Sequence, residues 1–185
     1  MNQTKKWDTK TMVLGAVLTA LVIAFQYLSM AIRFGTFSIT LSLTPIVIGA
    51  VLCGTGMGAW LGLVFGVTVL LTGDAAPFWM VNPLGTLITV LFKGVASGVF
   101  PALLFQALKK KETLASALAA IISPIANTGV FVLGCAIFFV PALKEWYGNV
   151  TTFLVTIFSF NFVIEMGLNI ILAPVVVRIL NIRKK

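Results

Sequence analysis

Six apolar runs alternate with short polar interruptions along the chain: Met12 to Met30, Leu41 to Cys53, Ala59 to Leu71, Leu84 to Leu108, Leu114 to Val140 and Val150 to Leu180. A helix crossing a bilayer needs about 20 apolar residues, within a range of roughly 17–25. The second and third runs fall short of that length; the others suffice. The interruptions carry turn chemistry. "AIRFGTFSIT" holds Arg33 and Gly35 and alternates like an extended segment. "GTGMG" reads as a turn at Gly54, Gly56 and Gly58, and "TGDAAPFWMVNP" as a polar break with Asp74, Pro77 and Pro83. "PALKEWYGN" reads as an interfacial loop with Trp146 and Tyr147 at headgroup level. The pattern predicts an all-α integral membrane protein of six transmembrane helices, one domain over residues 1–185. The polar start "MNQTKKWDTK" runs into the first span without a small-residue cleavage site, so an uncleaved first helix is expected rather than a signal peptide.

Polar residues inside the runs add a second layer. Asn82, Thr86, Thr89 and Lys93 recur at spacings of four, three and four, which places them on one face of the fourth helix. The sixth run carries Asn161, Glu165 and Asn169 at spacings of four; the fifth carries Asn127 and Thr128 after Pro124, and the first Gln26. An ionisable side chain at bilayer depth costs at least ~2.5–3.5 kcal/mol and normally faces a cavity or a partner. Lys93 and Glu165 are therefore expected to point inward. One reading makes them a structural ion pair, with the asparagines as glue between helices. The other lines an outward-open cavity for a polar solute. The stripe favours the cavity, since one ion pair needs two residues rather than seven polar groups. For Glu165, depth leaves open a second reading, a packing residue nearer the cytoplasm and below the cavity. Asp74 is expected to be a solvated loop residue. Gly62 and Gly66 allow close helix contact.

Composition and charge narrow the class. Of 185 residues, 59% are hydrophobic and 10% charged, against about 45–50% apolar and about 25% charged in soluble domains. The net charge of +8 is no sign of nucleic acid, because the basic residues cluster at the ends of apolar runs. Those clusters are Lys5, Lys6 and Lys10, then Lys109 to Lys111, then Arg178, Arg183, Lys184 and Lys185. With six spans all three fall on one side, which places both termini in the cytoplasm. With no histidine, and Cys53 and Cys135 in apolar surroundings, a structural zinc site or a histidine-based triad is not expected. "GTGMGAWLG" lacks the lysine of a nucleotide cradle. No cofactor and no catalysis are expected, and the chain has no energy source of its own to drive uptake.

Two longer strings carry a family likeness: "TLSLTPIVIGAVLCGTGMGAWLGLVFG" and "LTGDAAPFWMVNPLGTLITVLFKG". With the layout of six spans and the small residues Ala16 and Ala20 of "GAVLTALV", the chain resembles the substrate-binding S components of energy-coupling factor (ECF) vitamin transporters. It looks most like the pantothenate-specific ones. The resemblance implies a membrane subunit that binds a vitamin from outside, with the first outward loop as a lid. It implies docking of the Ala16 and Ala20 face on a transmembrane T subunit, toppling in the bilayer, and release inside driven by two associated ABC-type ATPases. For pantothenate, Lys93 or Arg33 would meet the carboxylate, and Asn82, Thr86, Thr89, Asn127 and Asn161 the remaining polar groups, with Glu165 on the same cavity. Pyridoxine is the nearest rival ligand. A structural membrane protein without ligand stays open as a different class of reading.

Overall fold

The computed structural model of the protein describes residues 8–31, 33–34, 37–38, 40–156 and 162–183. Within them each apolar run is helical. Helix α1 spans Thr9–Ala31, α2 Leu43–Cys53, α3 Thr55–Leu71, α4 Ala76–Val81 and α5 Pro83–Ala107. Helix α6 spans Glu112–Phe138, α7 Val140–Tyr147, α8 Val150–Thr156 and α9 Val163–Arg183. The alternating segment after α1 forms a small antiparallel pair, β1 (Arg33–Phe34) and β2 (Phe37–Ser38), with Arg33 opposite Ser38. Three helical stretches are long and apolar enough to cross a bilayer, Thr9–Ala31, Pro83–Ala107 and Lys109–Phe138. Helices α2 and α3 are apolar but shorter, at 11 and 17 residues.

Three sequence expectations change. The glycine-rich turn is one residue, Gly54, whose φ of 87° separates α2 from α3. Glycine tolerates that left-handed backbone at no steric cost. Gly56 and Gly58 already lie inside α3. The polar break after α3 contains the short helix α4, with Pro77 in its first turn, where a missing amide hydrogen costs nothing. The loop around Trp146 is the helix α7.

The centre of the bundle is built on glycine. A Cβ on Gly58 would collide with the Gly98 carbonyl, one on Gly62 with the Gly94 carbonyl, and one on Gly66 would press on the Val90 carbonyl at 3.0 Å. Helices α3 and α5 thus meet backbone to backbone, the close approach that small residues at fourfold spacing permit in a membrane. On its two sides α2 joins two hydrophobic clusters. Leu43 and Ile46 pack with Leu18 and Val22 of α1 and with Leu61 and Phe65 of α3. Val47 and Val51 pack with Phe105 of α5 and Ala115 and Ala119 of α6.

Helices α5 and α6 are joined by a hydrogen bond that proline makes available. Pro101 has no amide hydrogen, so the Ser97 carbonyl one turn earlier loses its helical partner. The Ser123 hydroxyl of α6 donates to that carbonyl at 2.8 Å. In an apolar surrounding, an orphan backbone group is costly enough that such a replacement matters.

Candidate ligand-binding cavity

The polar stripe of α5 begins with a capping residue. Asn82 precedes Pro83 at the helix start, and its Oδ1 accepts the Gly85 amide at 2.9 Å. Thr86 donates its hydroxyl to the Asn82 carbonyl at 2.9 Å. The Asn82 side chain thus caps the helix end that presents the others, and Asn82 is not among the described residues that line the cavity. Thr86, Thr89 and Lys93 continue down the same face and line a cavity of about 720 Å³. That volume lies within the ~300–1,000 Å³ typical of small-molecule sites.

Helix α6 supplies the facing wall. Asn127, Thr128 and Phe131 reach the cavity, one turn of helix bringing the amide and the ring onto one side. Glu165 of α9 completes the polar lining. Its Oε1 accepts the Thr40 amide at 3.1 Å, from the segment just before α2. Asn169, the next member of its stripe, turns back into its own helix and donates to the Glu165 carbonyl at 2.8 Å.

Lys93 is half-buried, and its Nζ sits 5.0 Å from the Phe131 ring centre and 5.7 Å from that of Phe65. An ammonium over ring faces gains electrostatic attraction in a place where water is scarce. The ion-pair reading of Lys93 with Glu165 finds no direct bond between them among the described residues. The carboxylate is held by Thr40 and the ammonium rests on rings.

Two buried polar atoms on this wall have no partner, Thr89 Oγ1 and Asn127 Oδ1. The two residues are only 3% and 4% exposed. Buried polar groups are normally hydrogen-bonded, and each exception calls for an explanation. Here both orphans belong to residues that line the cavity beside Lys93. Both atoms are themselves covered, with less than 1 Å² of exposed surface each, and Thr89 Oγ1 lies against Gly134 of α6.

One end of the cavity is aromatic. Phe78 of α4 meets Phe131, Phe139 and Trp146 edge to face, with ring centres 5.4, 5.1 and 5.4 Å apart. Trp146 and Tyr147 line the cavity, whereas Trp79 is exposed and does not. Asp74 is half-buried on the wall rather than a solvated loop residue, and Gln26 of α1 donates to its Oδ2 at 3.3 Å.

The remaining sequence candidates are placed differently. Arg33 lends its backbone to β1, and its side chain is not among the described atoms. Asn161 lies outside the described residues. Ala16 and Ala20 are exposed on α1, on the side away from its buried residues Gly15, Leu18, Val22 and Gln26. Thr40 and Phe65 are wall residues that the sequence did not single out. Phe131 had a usable signal, four residues after Asn127 on the same helix.

Comparison with known families adds the decisive observation. Residues 10–177 match the family described as "ECF transporter, substrate-specific component". This chain belongs to that family. The S component is thus a substrate-binding transporter subunit and not an enzyme. Membership implies association with the T and ATPase modules of an ECF transporter, and the long apolar helices agree with a place in the cell membrane. No curated protein and no solved structure matches the chain.

Proposed function

We propose that this S component binds pantothenate in the cavity between α5, α6 and α9 and delivers it to an ATP-driven importer. The observation that carries the reading is the Lys93 ammonium on a cavity wall that also holds Thr86, Thr89, Asn127 and Thr128. Pantothenate is a small anion with hydroxyls and an amide. Its carboxylate meets Lys93 in a charge-assisted hydrogen bond, and its hydroxyls and amide meet the threonine and asparagine side chains of the wall. A ligand that lacks those groups leaves the polar groups of the wall unpaired and is penalised accordingly.

The wider assembly follows the same proposal. The six apolar runs cross the membrane, and the three basic clusters put both termini in the cytoplasm. The cavity opens outward. The exposed Ala16 and Ala20 face of α1 docks on the T subunit, and two ABC-type ATPases supply the energy.

A second reading has its own observation. The Phe78, Phe131, Phe139 and Trp146 cluster offers ring edges to a flat aromatic ligand, which favours pyridoxine. Titration calorimetry of the purified chain with pantothenate, pyridoxine, riboflavin, thiamine, folate and biotin separates the readings. Tight binding of pantothenate alone is expected. Binding of pyridoxine instead reassigns the substrate, and binding of none by folded protein returns Lys93 to a packing role.

A further inference from the structure

The cavity wall is asymmetric in charge. Among the described residues it carries one cationic side chain, Lys93, and two carboxylates, Asp74 and Glu165. Glu165 is 4% exposed and tethered by the Thr40 amide at 3.1 Å, so it is fixed at the wall.

We infer that the cavity admits solutes with at most one negative charge and rejects the phosphomonoester of the same solute, with Glu165 as the residue that sets this limit. The inference rests on the cavity being the solute site but does not require the solute to be pantothenate. A phosphomonoester carries about −1.5 to −2 at neutral pH. Lys93 matches one unit of that charge. The rest faces the carboxylates of Asp74 and Glu165 in a space also walled by Phe65, Phe78 and Phe131, where charge is screened less than in bulk water. The same carboxylate wall accepts hydrogen bonds from hydroxyl and amide groups, so it favours the unphosphorylated form. Selection against a wrong ligand by a like charge needs no further contact with the right one.

The test compares two pairs of probes on the purified chain: pantothenate with 4′-phosphopantothenate, and pyridoxine with pyridoxine 5′-phosphate. In whichever pair binds, the unphosphorylated member is expected to bind at least about a hundredfold tighter, since like-charge placement costs several kcal/mol. Glu165→Gln should narrow that ratio about tenfold or more, whatever its effect on the affinity of the unphosphorylated member. Glu165→Met, of similar length, is the second variant should Glu165→Gln not fold. A phosphorylated probe that binds the wild type within about threefold of its parent overturns the inference. So does a ratio left unchanged in a folded variant. If only the pyridoxine pair binds and keeps the ratio, pantothenate falls and the charge limit stands. If neither pair binds folded protein, both fall.

Discussion

Helix α5 has two sides built on opposite principles. Toward α3 it presents Gly94 and Gly98, and the backbones meet with no side chain between them. Toward α6 and α9 it presents Thr86, Thr89 and Lys93, and a cavity of about 720 Å³ stays open. On the first side every group is in contact. On the second, Thr89 Oγ1 is buried without a partner. In a bilayer, where burying apolar surface gives little drive for helices to associate, tight glycine packing on one side holds the scaffold against which a cavity can stand open on the other. Lys93 and Gly94 are neighbours in sequence, so the change from open to closed packing happens within one peptide unit.

The comparison breaks most completely if the glycine side is disturbed. Gly94→Leu places a side chain against the Gly62 backbone, which has no flexible end to move aside. The destabilisation should reach or exceed the upper end of the ~1–3 kcal/mol usual for overpacking, and ligand binding should fall with it. Thermal unfolding in detergent checks this; an unchanged unfolding temperature would mean that the helices do not touch there.

A smaller change sharpens the contrast on the cavity side. Thr89→Val removes the orphan hydroxyl. The empty chain should become more stable, by up to ~1 kcal/mol, because a buried unpaired group is gone. Pantothenate should bind about three- to tenfold more weakly, since one hydrogen bond of ~0.5–1.5 kcal/mol is lost. Effects of the same sign on stability and affinity would show that Thr89 has a partner in the empty chain.

Asn82→Ala tests the boundary between the two tasks. Loss of the cap on Gly85 should cost about 1 kcal/mol of stability. Affinity should change by less than about threefold, because no ligand contact is removed. A tenfold loss of affinity without loss of stability would return Asn82 to the site. The smallest effect on the isolated chain is expected for Ala16→Trp or Ala20→Trp. Titration should show unaltered ligand affinity, while co-purification of the T subunit and ATPases fails. A parallel loss of affinity would show that the α1 face and the cavity are coupled.

The sequence disclosed the helices and one side of the site well. Apolar runs mark helix positions directly, and spacings of three and four placed Thr86, Thr89 and Lys93 on one face. The same arithmetic could not tell Asn82 from its stripe, since a cap and a first-turn residue share the same angular position. The Asn–Pro dipeptide was the available signal. Gly58 was read as a turn because glycine spacing describes a loop and a helix contact equally well. What decides is Gly98 on another helix, a pairing that depends on how the helices cross. The wall role of Asp74 depends on Gln26, 48 residues earlier, and the role of Thr40 on Glu165, 125 residues later. Such long-range partners leave no local periodicity. The helical nature of α4 and α7 was hidden by prolines that sit harmlessly in their first turns.

The most direct test is titration calorimetry of the purified chain with pantothenate, wild type and Lys93→Met side by side, with thermal unfolding as the check on folding. Loss of the charge-assisted bond should weaken binding roughly ten- to a hundredfold, corresponding to about 1.5–3 kcal/mol. Folded Lys93→Met protein that binds pantothenate as tightly as the wild type would remove Lys93 from the site and contradict the account.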